Sequence, residues 1–87
     1  VRDIDVWEIG EAFAVQACYA RDKLKIPAEK INIYGGDIAL GHPLGAAGAR
    51  ILTTLVSALV NEGKRRGLAG ICLGGGGCLA IVIEKTK

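Results

Sequence analysis

Methionine is missing from this 87-residue sequence, and aromatic residues are scarce: one tryptophan, one phenylalanine and two tyrosines. The basic residues are scattered except for Lys64, Arg65 and Arg66, which sit between Gly63 and Gly67. No aromatic side chain interleaves with that cluster, so a base-stacking nucleic-acid surface has no support, and a solvated turn accounts for the three charges. A single histidine and the lack of any Cys-x-x-Cys pair exclude a structural zinc site, which needs four ligands at defined spacings. The three cysteines (Cys18, Cys72 and Cys78) are an odd number and build no paired disulfide framework. Cys72 and Cys78 lie on either side of four glycines; a bridge between them is conceivable, but reduced thiols in a cytoplasmic compartment are expected. No N-terminal segment has the pattern of a secretory leader. The longest apolar stretch, Ile51 to Val60, is broken by Thr53, Thr54 and Ser57 and is too short to span a bilayer. The expectation is a soluble protein with neither nucleic acid nor membrane as a partner.

What the chain has in quantity is small and aliphatic. Hydrophobic residues make up 51% of it and 13 residues are glycine. A single domain of this size buries only about 60–65% of the surface its unfolded chain exposes, so a lone core is thin. This composition is richer in apolar surface than a small isolated domain needs, and it fits a densely packed α/β interior partly covered by something else. The chain also opens on Val1 rather than methionine, as a fragment or processed piece would.

Periodicity predicts a strand over Ile4 to Ile9, punctuated by Gly10, then a helix from about Glu11 to Leu24. The apolar stripe of that helix is Phe13, Ala17, Ala20 and Leu24, with Gln16, Arg21 and Lys23 off it. Pro27 turns the chain. Ile31 to Tyr34 reads as a second strand, closed by Gly35 and Gly36. Gly41 to Gly48, GHPLGAAG, reads as a loop feeding a helix that approaches a neighbouring backbone closely. From Arg50 to Asn61 the polar residues (Arg50, Thr53, Thr54, Ser57 and Asn61) form one narrow stripe, predicting a helix buried over most of its circumference, with Gly63 as its C′ residue. Leu68–Leu73 and Cys78–Glu84 read as an antiparallel hairpin of central strands, apolar on both faces. The order β-α-β-α-β-β predicts an α/β fold with a mixed sheet.

Few residues are equipped for chemistry. His42 precedes Pro43, which biases it toward an extended backbone on a rigid loop. That position suits a base or a neutral hydrogen-bond donor, and equally a histidine that only satisfies loop carbonyls. Cys72 ends a strand before a run of glycines. It fits a small apolar core residue, or a thiol beside glycine amides able to act as oxyanion donors. The glycines of GHPLGAAGA match neither a P-loop, for want of a following Lys-Ser/Thr, nor the dinucleotide fingerprint, for want of its spacing.

Taken together, EIGEAFA (Glu8–Ala14), YGGDIALGHPLGAAGARI (Tyr34–Ile51) and CLGGGG (Cys72–Gly77) resemble the C-terminal part of the thiolase family, in its order and at its spacing. The family is several times longer, so the resemblance implies only the C-terminal portion of a thiolase C-terminal domain over residues 1–87. In the complete enzyme, helices would cover both sides of the sheet. It implies that His42 activates a nucleophilic cysteine and helps bind the thioester oxygen. By the same resemblance Cys72 moves protons to and from the substrate, Gly74 donates a backbone N–H to the oxyanion, and Phe13 lines the pantetheine pocket. No cofactor is implied beyond coenzyme A thioesters as substrates. The implied partners are acyl-CoA, the N-terminal half or a partner chain, and a second copy in a homo-oligomer.

The chemistry agrees with that assignment. Thioester condensation needs an acyl-enzyme nucleophile, a second base for the α-proton and stabilisation of two oxyanions. This chain offers one thiol, one imidazole and a glycine-rich turn, while the family's nucleophile belongs to the N-terminal half. Cys18 is mid-helix and Cys78 lies past the turn, so neither fits that role. Three positions depart from the family pattern. Gly10 stands where thiolases carry an asparagine that holds a water in the enolate oxyanion hole, and Tyr34 and Asp37 replace small or amide-bearing residues beside the GHP loop. The expectation is a segment of acetyl-CoA acetyltransferase or 3-ketoacyl-CoA thiolase, inactive by itself. The alternative is a non-catalytic fragment or small subunit that binds a partner half or acyl-CoA.

Overall fold

A computed structural model describes residues 1–72 and 77–86. Its elements are β1 (Val6–Ile9), α1 (Ala14–Leu24), a 3-10 turn (Ala28–Lys30), α2 (Asp37–Leu40), α3 (Ala47–Asn61), β2 (Arg66–Cys72) and β3 (Cys78–Glu84). The strands form one sheet in the order β1-β2-β3. β1 runs parallel to β2, with Val6 opposite Gly67 and Ile9 opposite Gly70. β3 returns antiparallel, from Cys72 opposite Cys78 to Arg66 opposite Glu84. The α/β class, the mixed sheet and the closing hairpin are those the sequence predicts.

Side-chain alternation along β1 divides the core in two, because successive residues of a strand point to opposite faces. Val6 and Ala69 pack with Ile51, Leu55, Ala58 and Leu59 of α3. Trp7 turns the other way, onto Ile4 and Ile26, with Ile9, Ile31 and Leu68 at the margin. Gly67 lets α3 approach the sheet: a Cβ there would lie 2.6 Å from Leu55 Cδ1, closer than any real side chain tolerates. At the other end of α3, Gly63 adopts a positive φ of 63° just after the cap residue Glu62, where a side chain would be strained.

Four expectations need correction. Ile31–Tyr34 forms no strand; only Ile31 bridges to Trp7. Asn32 takes a positive φ of 48°, and its side chain supplies the pairing a strand would have made. Its Oδ1 accepts from the Ile9 amide at 2.8 Å, and its Nδ2 donates to the Ile9 carbonyl at 3.0 Å. The first helix begins at Ala14 rather than Glu11, because Phe13 takes an extended backbone (φ −137°, ψ 150°), while the Glu11 amide donates to Asp37 Oδ2. None of that helix's residues is fully buried, and Phe13 is 75% exposed, so the described residues cover the Phe13–Leu24 stripe only partly, at Ala17 and Ala20. β3 is an edge strand exposed along most of its length, and α3 leaves Val56 and Val60 open, so neither is enclosed as its composition predicts. The short helix α2 lies inside a stretch with no helical period long enough to read.

Candidate active site

Three parts of the chain meet at the C-terminal end of β1 and β2. Gly10 follows β1 and is fixed there by its amide, which donates to the Gly70 carbonyl at 2.8 Å. Cys72 closes β2, and His42 sits on the loop between α2 and α3. All three line a recess of about 50 Å³, together with Gln16, Asp37 and Ile71. Phe13 is not among the residues lining it, and Gly74 lies outside the described residues. The recess has room for a water or two, far below the roughly 300–1,000 Å³ of a small-molecule pocket. A wider groove of about 400 Å³ lies between α1 and the segment around Gly36 and contains Cys18 and Arg21, but not His42 or Cys72.

Two partners of these groups are not apparent from the sequence. Gln16 Nε2 donates to Cys72 Sγ at 2.7 Å, orienting the sulphur from α1. Asp37 Oδ2 lies 3.6 Å from His42 Nδ1, while the imidazole remains about half exposed. Asp37 is held firmly: Arg50 donates to its Oδ1 at 2.6 Å and the Glu11 amide to its Oδ2 at 2.9 Å. Burial pushes its carboxyl up, but the Glu11 amide and the Arg50 guanidinium outweigh that and hold it below the ordinary 3.8. Glu11 completes the frame, accepting from Asn32 Nδ2 at 2.9 Å and from the Ile38 amide at 3.1 Å. The only sequence sign of this network is the density of Glu, Asp and Arg around otherwise apolar motifs. Tyr34 belongs elsewhere, donating to Glu62 at 2.8 Å on the exposed side of the helix end.

Beneath the site lies Glu8, 1% exposed, with Oε2 lacking any partner among the described residues. Arg50 approaches its Oε1 only to 3.8 Å, because the shorter contact of that guanidinium is spent on Asp37. Desolvation therefore dominates and pushes the Glu8 carboxyl from its ordinary 4.5 to about 7. The folded state then binds a proton that the unfolded state releases, so stability falls as pH rises from about 4.5 to about 7 and levels off above. At ~1.4 kcal/mol per pKa unit the whole effect is roughly 3 kcal/mol. Urea titrations of the chain between pH 5 and 8 are expected to show this decline, and Glu8→Gln to flatten it. An equally steep decline in Glu8→Gln would mean that another group titrates.

None of the described helices is long and apolar enough to cross a membrane. Comparison with known proteins places this geometry in context. The chain is 56% identical over 82 residues to acetyl-CoA acetyltransferase IB of Candida tropicalis, covering 94% of this chain and 20% of that protein. It is 52% identical over 85 residues to a probable acetyl-CoA acyltransferase of Staphylococcus aureus, covering 98% of this chain and 21% of that one. The crystal structure of the Bacillus anthracis acetyl-CoA acetyltransferase superposes with a TM-score of 0.91 at 42% identity, over 97% of this chain and 21% of that one. The chain thus spans about a fifth of the length of the relatives it matches. The family model described as "Thiolase, C-terminal domain" matches residues 1–85, and the chain belongs to the thiolase family.

Proposed function

We propose that this chain is the C-terminal segment of a thiolase that transfers acyl groups between coenzyme A thioesters, with acetyl-CoA the acyl donor. The observation that carries the reading is the shared recess, where the only imidazole and the Cys72 thiol face one small space. In condensation the nucleophilic cysteine of the N-terminal half, activated by His42, carries the acyl group. Cys72 as thiolate takes the α-proton of the second acyl-CoA, and the resulting enolate attacks the acyl-enzyme carbonyl. Collapse of the tetrahedral adduct expels the nucleophilic thiolate, and Gly74 donates its amide to the oxyanion in the interval. Thiolysis is the reverse.

The N-terminal half, or a partner chain supplying it, covers the exposed apolar surface of α1 and β3. The exposed apolar residues include Phe13 and Val15 at α1, and Leu79, Ile81 and Val82 on the two faces of β3. The test is a chimera in which this segment replaces the matching fifth of the Bacillus anthracis enzyme. The chimera is expected to thiolyse acetoacetyl-CoA, and the isolated 87-residue chain to be inert. Turnover by the isolated chain would require a nucleophile within it. A folded but inert chimera, inert also with asparagine at position 10, would favour the reading as a non-catalytic piece.

A further inference from the structure

We propose that Cys72 and Cys78 form a redox-active dithiol, which low-molecular-weight disulfides convert to an intramolecular disulfide. The two residues face each other as the terminal pair of the β2–β3 ladder. Directly opposed antiparallel residues have Cα atoms about 4.5–5.5 Å apart, inside the window a disulfide requires. Their sulphurs lie 3.9 Å apart, and both side chains are exposed. Rotation about the two Cα–Cβ bonds has to close that gap to roughly 2.05 Å. Cys18, on the exposed side of α1, is not part of this pair.

The two thiols are not equivalent. Gln16 Nε2 points its hydrogen at Cys72 Sγ, which suits that sulphur to carry charge. The Cys78 thiol is pushed up, chiefly by its hydrogen bond with Cys72. Cys72 therefore attacks first. Its thiolate takes one sulphur of a small disulfide such as oxidised glutathione, giving a mixed disulfide and releasing one small thiolate. Cys78 then loses its proton to solvent and attacks the Cys72 sulphur, expelling the second small thiolate. Two electrons pass from the cysteine pair to the small disulfide, which leaves as two thiols carrying the two protons.

The consequence for function rests on the thiolase reading: a bridged Cys72 has no thiol with which to move an α-proton. The chemistry itself does not need that reading, so the test uses no turnover. The folded chain is equilibrated with mixtures of reduced and oxidised glutathione, quenched by alkylation and weighed intact. Two of the three thiols are expected to be lost together, with the mass of two hydrogens, and fragmentation is expected to place the link between Cys72 and Cys78 while Cys18 is alkylated. Cys78→Ser should stop at a mixed disulfide on Cys72, and Cys18→Ser should close as the parent does. Because the pair is also near in sequence, the equilibrium is repeated in denaturant. Folding is expected to favour the ring at least ~10-fold, about 30 mV in potential. Equal constants in the folded and unfolded chain, separate mixed disulfides on each cysteine, or bridges through Cys18 would each overturn the proposal.

Discussion

His42→Ala in the chimeric enzyme is expected to lower kcat for acetoacetyl-CoA thiolysis by roughly 10²–10⁴, the usual contribution of a positioned acid–base group. No second imidazole in the segment can take over, since His42 is its only histidine. The neighbouring groups are also poorly suited to substitute. Asp37 already accepts from Arg50 and from the Glu11 amide, and its carboxyl is held low, which makes it a weak base. In the proposed mechanism Cys72 has the separate task of moving the α-proton. KM is expected to change much less than kcat, because His42 acts on the reacting atoms and not on the distant part of coenzyme A. A loss confined to KM would place His42 in binding alone, and an unchanged kcat would remove it from the mechanism.

The sequence made parts of this site legible for one reason: motif residues lie at the ends of regular elements. Gly10 follows β1, Cys72 ends β2, and His42 stands in the glycine-rich loop that feeds α3; period and punctuation marked each position separately, and the resemblance related them to one site. What stayed hidden depends on side chains that replace backbone structure. The segment after Pro27 has the apolar alternation of a strand, yet Asn32 turns it aside and pairs with Ile9 through its amide group. Glu11 looks like the first residue of a helix, but its amide and carboxylate both serve the α2 region. Such choices are settled by tertiary hydrogen bonds, for which a one-dimensional pattern carries no signal. The exposure of α1 and β3 was misjudged for a different reason. Their composition answers to a larger interior than 87 residues provide.

Asp37, which the resemblance marks as a departure from the family pattern, organises the charges below the site. It stands where the resemblance expects a small residue, and it draws the Arg50 guanidinium to 2.6 Å, leaving Glu8 with a contact of 3.8 Å. A carboxylate that is buried, weakly paired and half orphaned is costly as an anion, which is why its carboxyl moves to about 7. The same substitution brings a carboxylate near His42 Nδ1. One residue thus links the charge of the imidazole loop to that of the strand beneath it.

Gly10→Asn in the chimera is expected to raise the rate of condensation. Gly10 lines the recess without a side chain, at the position where the sequence resemblance expects an asparagine that holds a water against the enolate oxygen. The backbone is ready to accept one. Gly10 is not among the glycines with positive φ, and its amide is already tied to Gly70. A Cβ built there would meet the Gly70 carbonyl oxygen and Ile71 at 3.6 Å, ordinary van der Waals contact requiring nothing to shift. A direct oxyanion-hole donor is worth roughly 10²–10³ in rate, and one acting through a held water gives less, so a gain of about 10-fold is the lower end of the expectation. Replacing a strand-end glycine also stiffens the unfolded chain and adds stability of about 0.4–1 kcal/mol, which by itself improves apparent activity. Gly10→Ala separates the two effects, because it supplies the Cβ without the amide. Kinetics of acetoacetyl-CoA formation from acetyl-CoA, measured on all three proteins, are expected to rank asparagine well above alanine and glycine. If alanine matches asparagine, the gain is one of folding, and the enolate oxygen is stabilised by some group other than residue 10.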